Sequence, residues 1–298
     1  MKRSRAILVL AVVLLLVLVP ILLFVFLSPK EPVYEGRPIG QWIEQMSGSV
    51  DGTVGAVSSK ELPRLIQQEP GEEVAPFLGG ALHRGRPFGA RLYARWYAKL
   101  PNVLAQRLHA PNPGRDAELR YRAALILYYM GPKGKKAVPD LIYALGDENQ
   151  EVRRMAATAL GVAEADSESA AVALGSVMSD PVAEVRQAAL KSLGQSTNDP
   201  SGAALKIASA LKDSDVGVRV EAAQILKNLG PKAKGAVPAL IQALRDSDQD
   251  VVLFAAQALG RIGPDARDAA PALEEALQNA GANSETTLRW ALKQTSTK

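Results

Sequence analysis

One spacing governs most of this chain: the same side-chain types return every 33 residues. Leu119-Arg120 is followed one period later by Val152-Arg153, then by Val185-Arg186 and Val218-Arg219, and last by Val251-Val252, where the arginine is lost. Four residues after each first member stands an alanine: Ala123, Ala156, Ala189, Ala222 and Ala255. Four further on stands a leucine: Leu127, Leu160, Leu193, Leu226 and Leu259. The other half of the unit carries two more columns, Leu141/Leu174/Ile207/Leu240/Leu273 and Leu145/Met178/Leu211/Leu244/Leu277. Between the halves Asp147, Asp180, Asp213 and Asp246 keep the same period. A unit this short cannot bury its apolar stripe alone, so neighbours must stack.

The i, i+4, i+8 spacing of Val, Ala and Leu marks one face of a helix. Pro139, Pro238 and Pro271 suit the first turn of a short helix, where a missing N–H costs nothing. The recurring Asp suits the N-cap of a second helix. Gly161, Gly194 and Gly260 suit that helix's C-terminal stop. The phrase from Gly131 to Pro139, GPKGKKAVP, returns as GPKAKGAVP at Gly230–Pro238 and as GPDARDAAP at Gly263–Pro271, and reads as a solvated lysine-bearing loop. Each unit is therefore helix, turn, helix, loop.

The pattern Asp-x(4)-Val-Arg-x-x-Ala-Ala-x-x-Leu resembles HEAT repeats, in the short form also found in phycobilin lyases; it is clearest over Leu119–Leu277. The resemblance implies an all-α, right-handed solenoid of helix pairs whose second helices line a concave side. Exposed columns on that side would be Tyr121, Arg154, Gln187, Val220, Leu253 and Leu125, Thr158, Lys191, Gln224, Gln257. The opening Tyr34-Glu-Gly36-Arg-Pro38-Ile-Gly-Gln-Trp42-Ile43 is similar to a lead-in seen in bacterial membrane-anchored HEAT-repeat proteins, and reads as a cap with Trp42 and Ile43 on the first apolar face.

Ahead of the repeats, Ala6 to Leu27 are apolar apart from Pro20. As a helix this run spans about 33 Å, enough for a hydrocarbon core of ~30 Å. Lys2, Arg3 and Arg5 precede it, which favours an N-terminus in the cytoplasm and a body on the far side. A cleaved signal peptide has a shorter apolar core and a small-x-small exit, which Phe24–Pro29 lacks. The expected organisation is a basic N-terminus (1–5), a signal-anchor helix (6–27), an extended tether (28–37), a cap with degenerate repeats (38–118) and regular repeats with a C-terminal cap (119–298).

Composition narrows the chemistry. With no cysteine and two histidines, disulfides, thiolate metal sites, thiol catalysis and an HExxH centre are excluded. His83 and His109 have no acidic cluster beside them in sequence. The Asp/Arg columns could pass for catalytic pairs, but identical copies at the architectural period point to a structural brace laddered between repeats. No catalytic, cofactor or metal residues are expected, and no small-molecule ligand.

The segment His83–Arg122 carries nine Lys and Arg against Asp116 and Glu118, interleaved with Phe88, Tyr93, Trp96, Tyr97 and Tyr121. Arginine–aromatic surfaces are typical interface material. The residues expected to touch a partner are Arg91, Arg95, Trp96, Tyr121, Arg122, Tyr128 and Arg154. The function expected is a non-enzymatic, membrane-anchored scaffold for a protein partner. The phycobilin-lyase resemblance leaves a tetrapyrrole-handling protein as one alternative. Polyanion or nucleic-acid binding through 83–122 is a second, disfavoured because the chain beyond residue 27 is nearly neutral.

Overall fold

The computed structural model describes residues 33–34, 37–38, 40–41, 43, 71–83, 113–164, 167–195, 199–279 and 281–296. The chain divides into two units, Met1–Trp42 and Ile43–Lys298. In the first, β1 (Val33–Tyr34) pairs antiparallel with β2 (Arg37–Pro38), Val33 opposite Pro38 and Tyr34 opposite Arg37. Within the expected extended tether over 28–37, Tyr34 is thus paired with Arg37. Residues 6–27 lie outside the described residues. Among the described residues no helix is long and apolar enough to cross a membrane.

The second unit is helical wherever it is described. Its elements are α1 (Gly71–Ala81), α2 (Pro113–Met130), α3 (Val138–Ala144), α4 (Gln150–Glu164), α5 (Glu168–Val177), α6 (Ala183–Gly194), α7 (Pro200–Ser209), α8 (Val216–Leu229), α9 (Val237–Ala243), α10 (Gln249–Ile262), α11 (Ala270–Gln278) and α12 (Ala282–Ser296). The even-numbered helices form one layer, each packed on the next, and the odd-numbered helices form the other. The alanine column is fully buried in the even-numbered layer, where the leucine column from Leu127 to Leu259 is at most 1% exposed. The column from Leu141 to Leu273 seals the odd-numbered layer onto it, also at 0–1%. Each such leucine contributes roughly 1.5–3 kcal/mol by leaving water, so the 33-residue columns are the core.

Glycine does two jobs here, and only one matches the sequence reading. Gly161 and Gly260 lie inside α4 and α10, and Gly194 is the last residue of α6, so this column does not supply the helix stops. It lets the even-numbered helices approach: a Cβ on Gly161 would lie 2.4 Å from Ser192 Oγ, one on Gly194 2.5 Å from Ile225, and one on Gly260 2.4 Å from the Trp290 ring. The stops are Gly131, Gly230 and Gly263, with φ of +56°, +55° and +76°. A side chain would strain that left-handed turn.

After each stop the lysine phrase is a 3-10 turn, not an irregular loop: Gly131–Ala137, Gly230–Ala236 and Gly263–Ala269. The prolines then sit in the first turn of α3, α9 and α11 as their type requires. One period after Gly131 the chain has Glu164, the last residue of α4. There is no Gly-Pro pair at this position, and α5 begins at Glu168. Each 3-10 turn after a Gly-Pro pair packs against the preceding odd-numbered helix. Between α3 and α5 lies an open cleft of ≈ 800 Å³, lined by Ile142, Leu145, Val172, Ala173 and Val177 with Ser169, Ser176 and Ser179.

Candidate partner-binding face

The charged columns resolve into a ladder. Each arginine reaches forward 27 residues to the next unit's aspartate: Arg120 to Asp147 at 2.7 Å, Arg153 to Asp180 at 2.7 Å, Arg186 to Asp213 at 2.8 Å and Arg219 to Asp246 at 2.8 Å. Each contact is two-pronged, with a second guanidinium nitrogen on the other carboxylate oxygen. Three of the arginines also donate to the carbonyl of their own unit's aspartate, Arg153 to Asp147, Arg186 to Asp180 and Arg219 to Asp213, at 2.8–2.9 Å. The carboxylates accept the N–H two residues ahead as well, from Asn149, Val182, Asp215 and Asp248.

The recurring aspartate is therefore not the N-cap. Asn149, Asp215 and Asp248 cap the helices, accepting from Val152, Val218 and Val251. Burial by itself would raise Asp180, Asp213 and Asp246. The arginine fork and the backbone N–H outweigh it and hold all three carboxyls below their ordinary value. These charges are engaged in joining one repeat to the next.

What the even-numbered helices leave uncovered is the row pair anticipated from the period. Tyr121, Arg154, Gln187, Val220 and Leu253 are all half-buried; so are Leu125, Thr158, Gln224 and Gln257, while Lys191 is exposed. Their neighbours divide the face into zones. At one end Tyr128 and Tyr129 meet edge to face at 5.2 Å, and Arg154 is held by Glu151 at 2.8 Å. In the middle Lys191 pairs with Glu221 at 3.2 Å. At the other end Lys227 lies over the Phe254 ring, and Trp290 rests on Gly260 with 40% of its surface open.

Of the residues expected at a partner surface, Tyr121, Tyr128 and Arg154 come together on adjacent helices α2 and α4, each half-buried. Arg122 does not join them. It is 6% exposed, and its guanidinium donates to the Ile43 carbonyl at 3.0 Å and pairs with Glu118. It belongs to the core because α2 is the first regular helix and needs a polar clasp to the segment that covers it. Ile43 is itself buried, and Trp42 lies outside the described residues. Arg120 is likewise taken into the ladder, so two of the cations counted over 83–122 face inward. Arg91, Arg95 and Trp96 lie outside the described residues.

Trp290 was not anticipated, although one period from Gln257 lands on it. His83 does find an acid, Asp140, at 2.7 Å across 57 residues, and stacks on Tyr143 at 4.2 Å. Among the described residues no group of three or more potential metal ligands forms.

The model for HEAT repeats matches the chain over residues 101–194, 138–210 and 203–293. No curated protein matches it. Solved structures similar to it include an engineered protein with 21% identity, a TM-score of 0.45 and coverage of 61% of this chain and 92% of that one. A second engineered protein has 19% identity, a TM-score of 0.46 and coverage of 88% and 69%. A designed armadillo repeat protein has 20% identity, a TM-score of 0.45 and coverage of 64% and 97%.

Proposed function

This chain belongs to the HEAT-repeat family, and from that premise we propose that it is a non-enzymatic interaction scaffold, held at a membrane by residues 6–27, that captures a protein partner on the uncovered face of its even-numbered helices. The observation that carries this reading is the row pair itself. Ten positions in strict register stay partly open, and they present tyrosine, arginine, glutamine and aliphatic side chains without a converging acid, base or nucleophile. A broad mixed surface of this kind recognises another surface. A stack whose core is fixed in every unit loses little freedom on binding, which favours capture.

The anchor raises the effective concentration of anything else at the same bilayer. Lys2, Arg3 and Arg5 support a cytoplasmic N-terminus and a helical stack lying beyond the membrane; a reporter fused after Lys298 reads that orientation. The partner face is tested by photo-crosslinking in native membranes from Thr158, Gln224 and Gln257. A common protein adduct from these positions supports the proposal. No protein adduct from any of the three would refute it.

A further inference from the structure

The odd-numbered layer carries a feature that neither stacking nor partner capture uses. Position 139 and its equivalents one, two, three and four periods later are Pro139, Val172, Leu205, Pro238 and Pro271, and all five are exposed. The prolines are explained by helix starts. Val172 and Leu205 are not: they stand 60% and 59% open in α5 and α7, and Val172 borders the α3–α5 cleft. Exposed Tyr143 adds to the same stretch. Cations bracket it, with Lys133, Lys135 and Lys136 on one side and Lys206, Lys232 and Lys234 on the other, all exposed. The acids on the same elements are Glu72 and Glu73, Asp140, Glu168 and Asp199; Glu72 pairs with Lys136 at 3.3 Å, Asp140 with His83 at 2.7 Å, and Asp199 caps α7. The pattern ends at α11, where Asp265, Asp268, Glu274 and Glu275 outnumber Arg267.

We propose that this edge, from the Gly131–Ala137 turn to α9, lies on an anionic bilayer surface, Val172 and Leu205 entering the interface and the lysines meeting lipid phosphates. Single aliphatic side chains between lysines suit a fluid surface, which needs no complementary pocket; this is the pairing of apolar insertion and basic attraction that holds peripheral segments to membranes. The proposal rests on the anchored reading above. The bilayer-facing layer is then opposite to the partner-facing one, leaving both usable at once.

The absence of native cysteine makes the test clean. Full-length V172C and L205C, each carrying an environment-sensitive fluorophore, are reconstituted in phosphatidylcholine vesicles with and without phosphatidylglycerol. Both labels should shift to shorter wavelength only in the anionic vesicles, and return to the aqueous emission at high salt or with K133E/K232E. A label on Gln224→Cys should stay aqueous throughout. Flotation with neutral vesicles reads the anchor separately. If flotation fails but the two labels still shift on anionic vesicles, the anchored reading falls and the surface contact stands. Aqueous emission from both labels on anionic vesicles, or an equal shift at position 224, overturns the proposal.

Discussion

Asp213 and Asp215 are two residues apart at the entry to α8, yet they hold different things, and substituting them separately measures the ladder against an ordinary cap. Asp213 accepts both prongs of Arg186, at 2.8 and 2.6 Å, and the Asp215 N–H at 2.9 Å. The two side chains are 11% and 12% exposed, so water screens the pair only weakly. Asp213→Ala leaves Arg186 with its remaining contact to the Asp180 carbonyl. Charge-assisted hydrogen bonds contribute about 1.5–3 kcal/mol each and are not additive here, and an orphaned, nearly buried guanidinium adds a desolvation cost, so the loss should be ~3 kcal/mol. Asp215→Ala removes one cap acceptor from Val218 and should cost ~1 kcal/mol. Hydrogen exchange of the full chain, followed by mass spectrometry over α6–α8, should show opening favoured roughly a hundredfold in the first variant and about fivefold in the second. Equal losses, or the larger loss at Asp215, would refute the claim that the ladder, and not the caps, joins the units.

Acid should act through the same groups. Asp180, Asp213 and Asp246 have folded values below their unfolded ones, so their stabilisation is complete above about pH 4 and drains as pH falls through the lower folded values. The melting temperature by circular dichroism should drop steeply there, and more shallowly in a D180N/D213N/D246N variant. Gly161→Ala drives a Cβ within 2.9 Å of Ser192 backbone and should cost about 1–3 kcal/mol, whereas Gly80→Ala meets nothing within 4 Å and should stabilise by roughly 0.5–1 kcal/mol in a thermal melt. Leu226→Ala empties a fully buried site and should cost about 2–5 kcal/mol; Leu205→Ala, at 59% exposure, should change the denaturant midpoint little.

Where the period held, the fold was legible: a side chain that recurs at 33 residues must meet its neighbours in the same way each time, so the core columns could be assigned before any coordinates. The ladder was legible as a brace, but not its reach. Nothing in an Asp column says whether the carboxylate serves its own helix or the arginine 27 residues behind it, and the cap lay two residues further on, at Asn149, Asp215 and Asp248. The glycine columns were confused because glycine both ends helices and lets them touch; the Gly-Pro pairs at 131, 230 and 263 were the better sign of a stop, since proline cannot continue the turn. Arg122 was misplaced for a physical reason. Its partner is a backbone carbonyl 79 residues upstream, and a carbonyl has no letter in the sequence. Trp290 was within reach, one step past Gln257, but the α12 segment has lost the other letters that would have flagged the register.

The clasp between units uses the same two side chains and the same 27-residue offset at every rung. In this clasp, what one module offers at its rear is what the next requires at its front. A gene encoding parts this interchangeable can grow or shrink by tandem duplication and deletion of whole modules. The length of the molecule can then evolve without redesign of its joints.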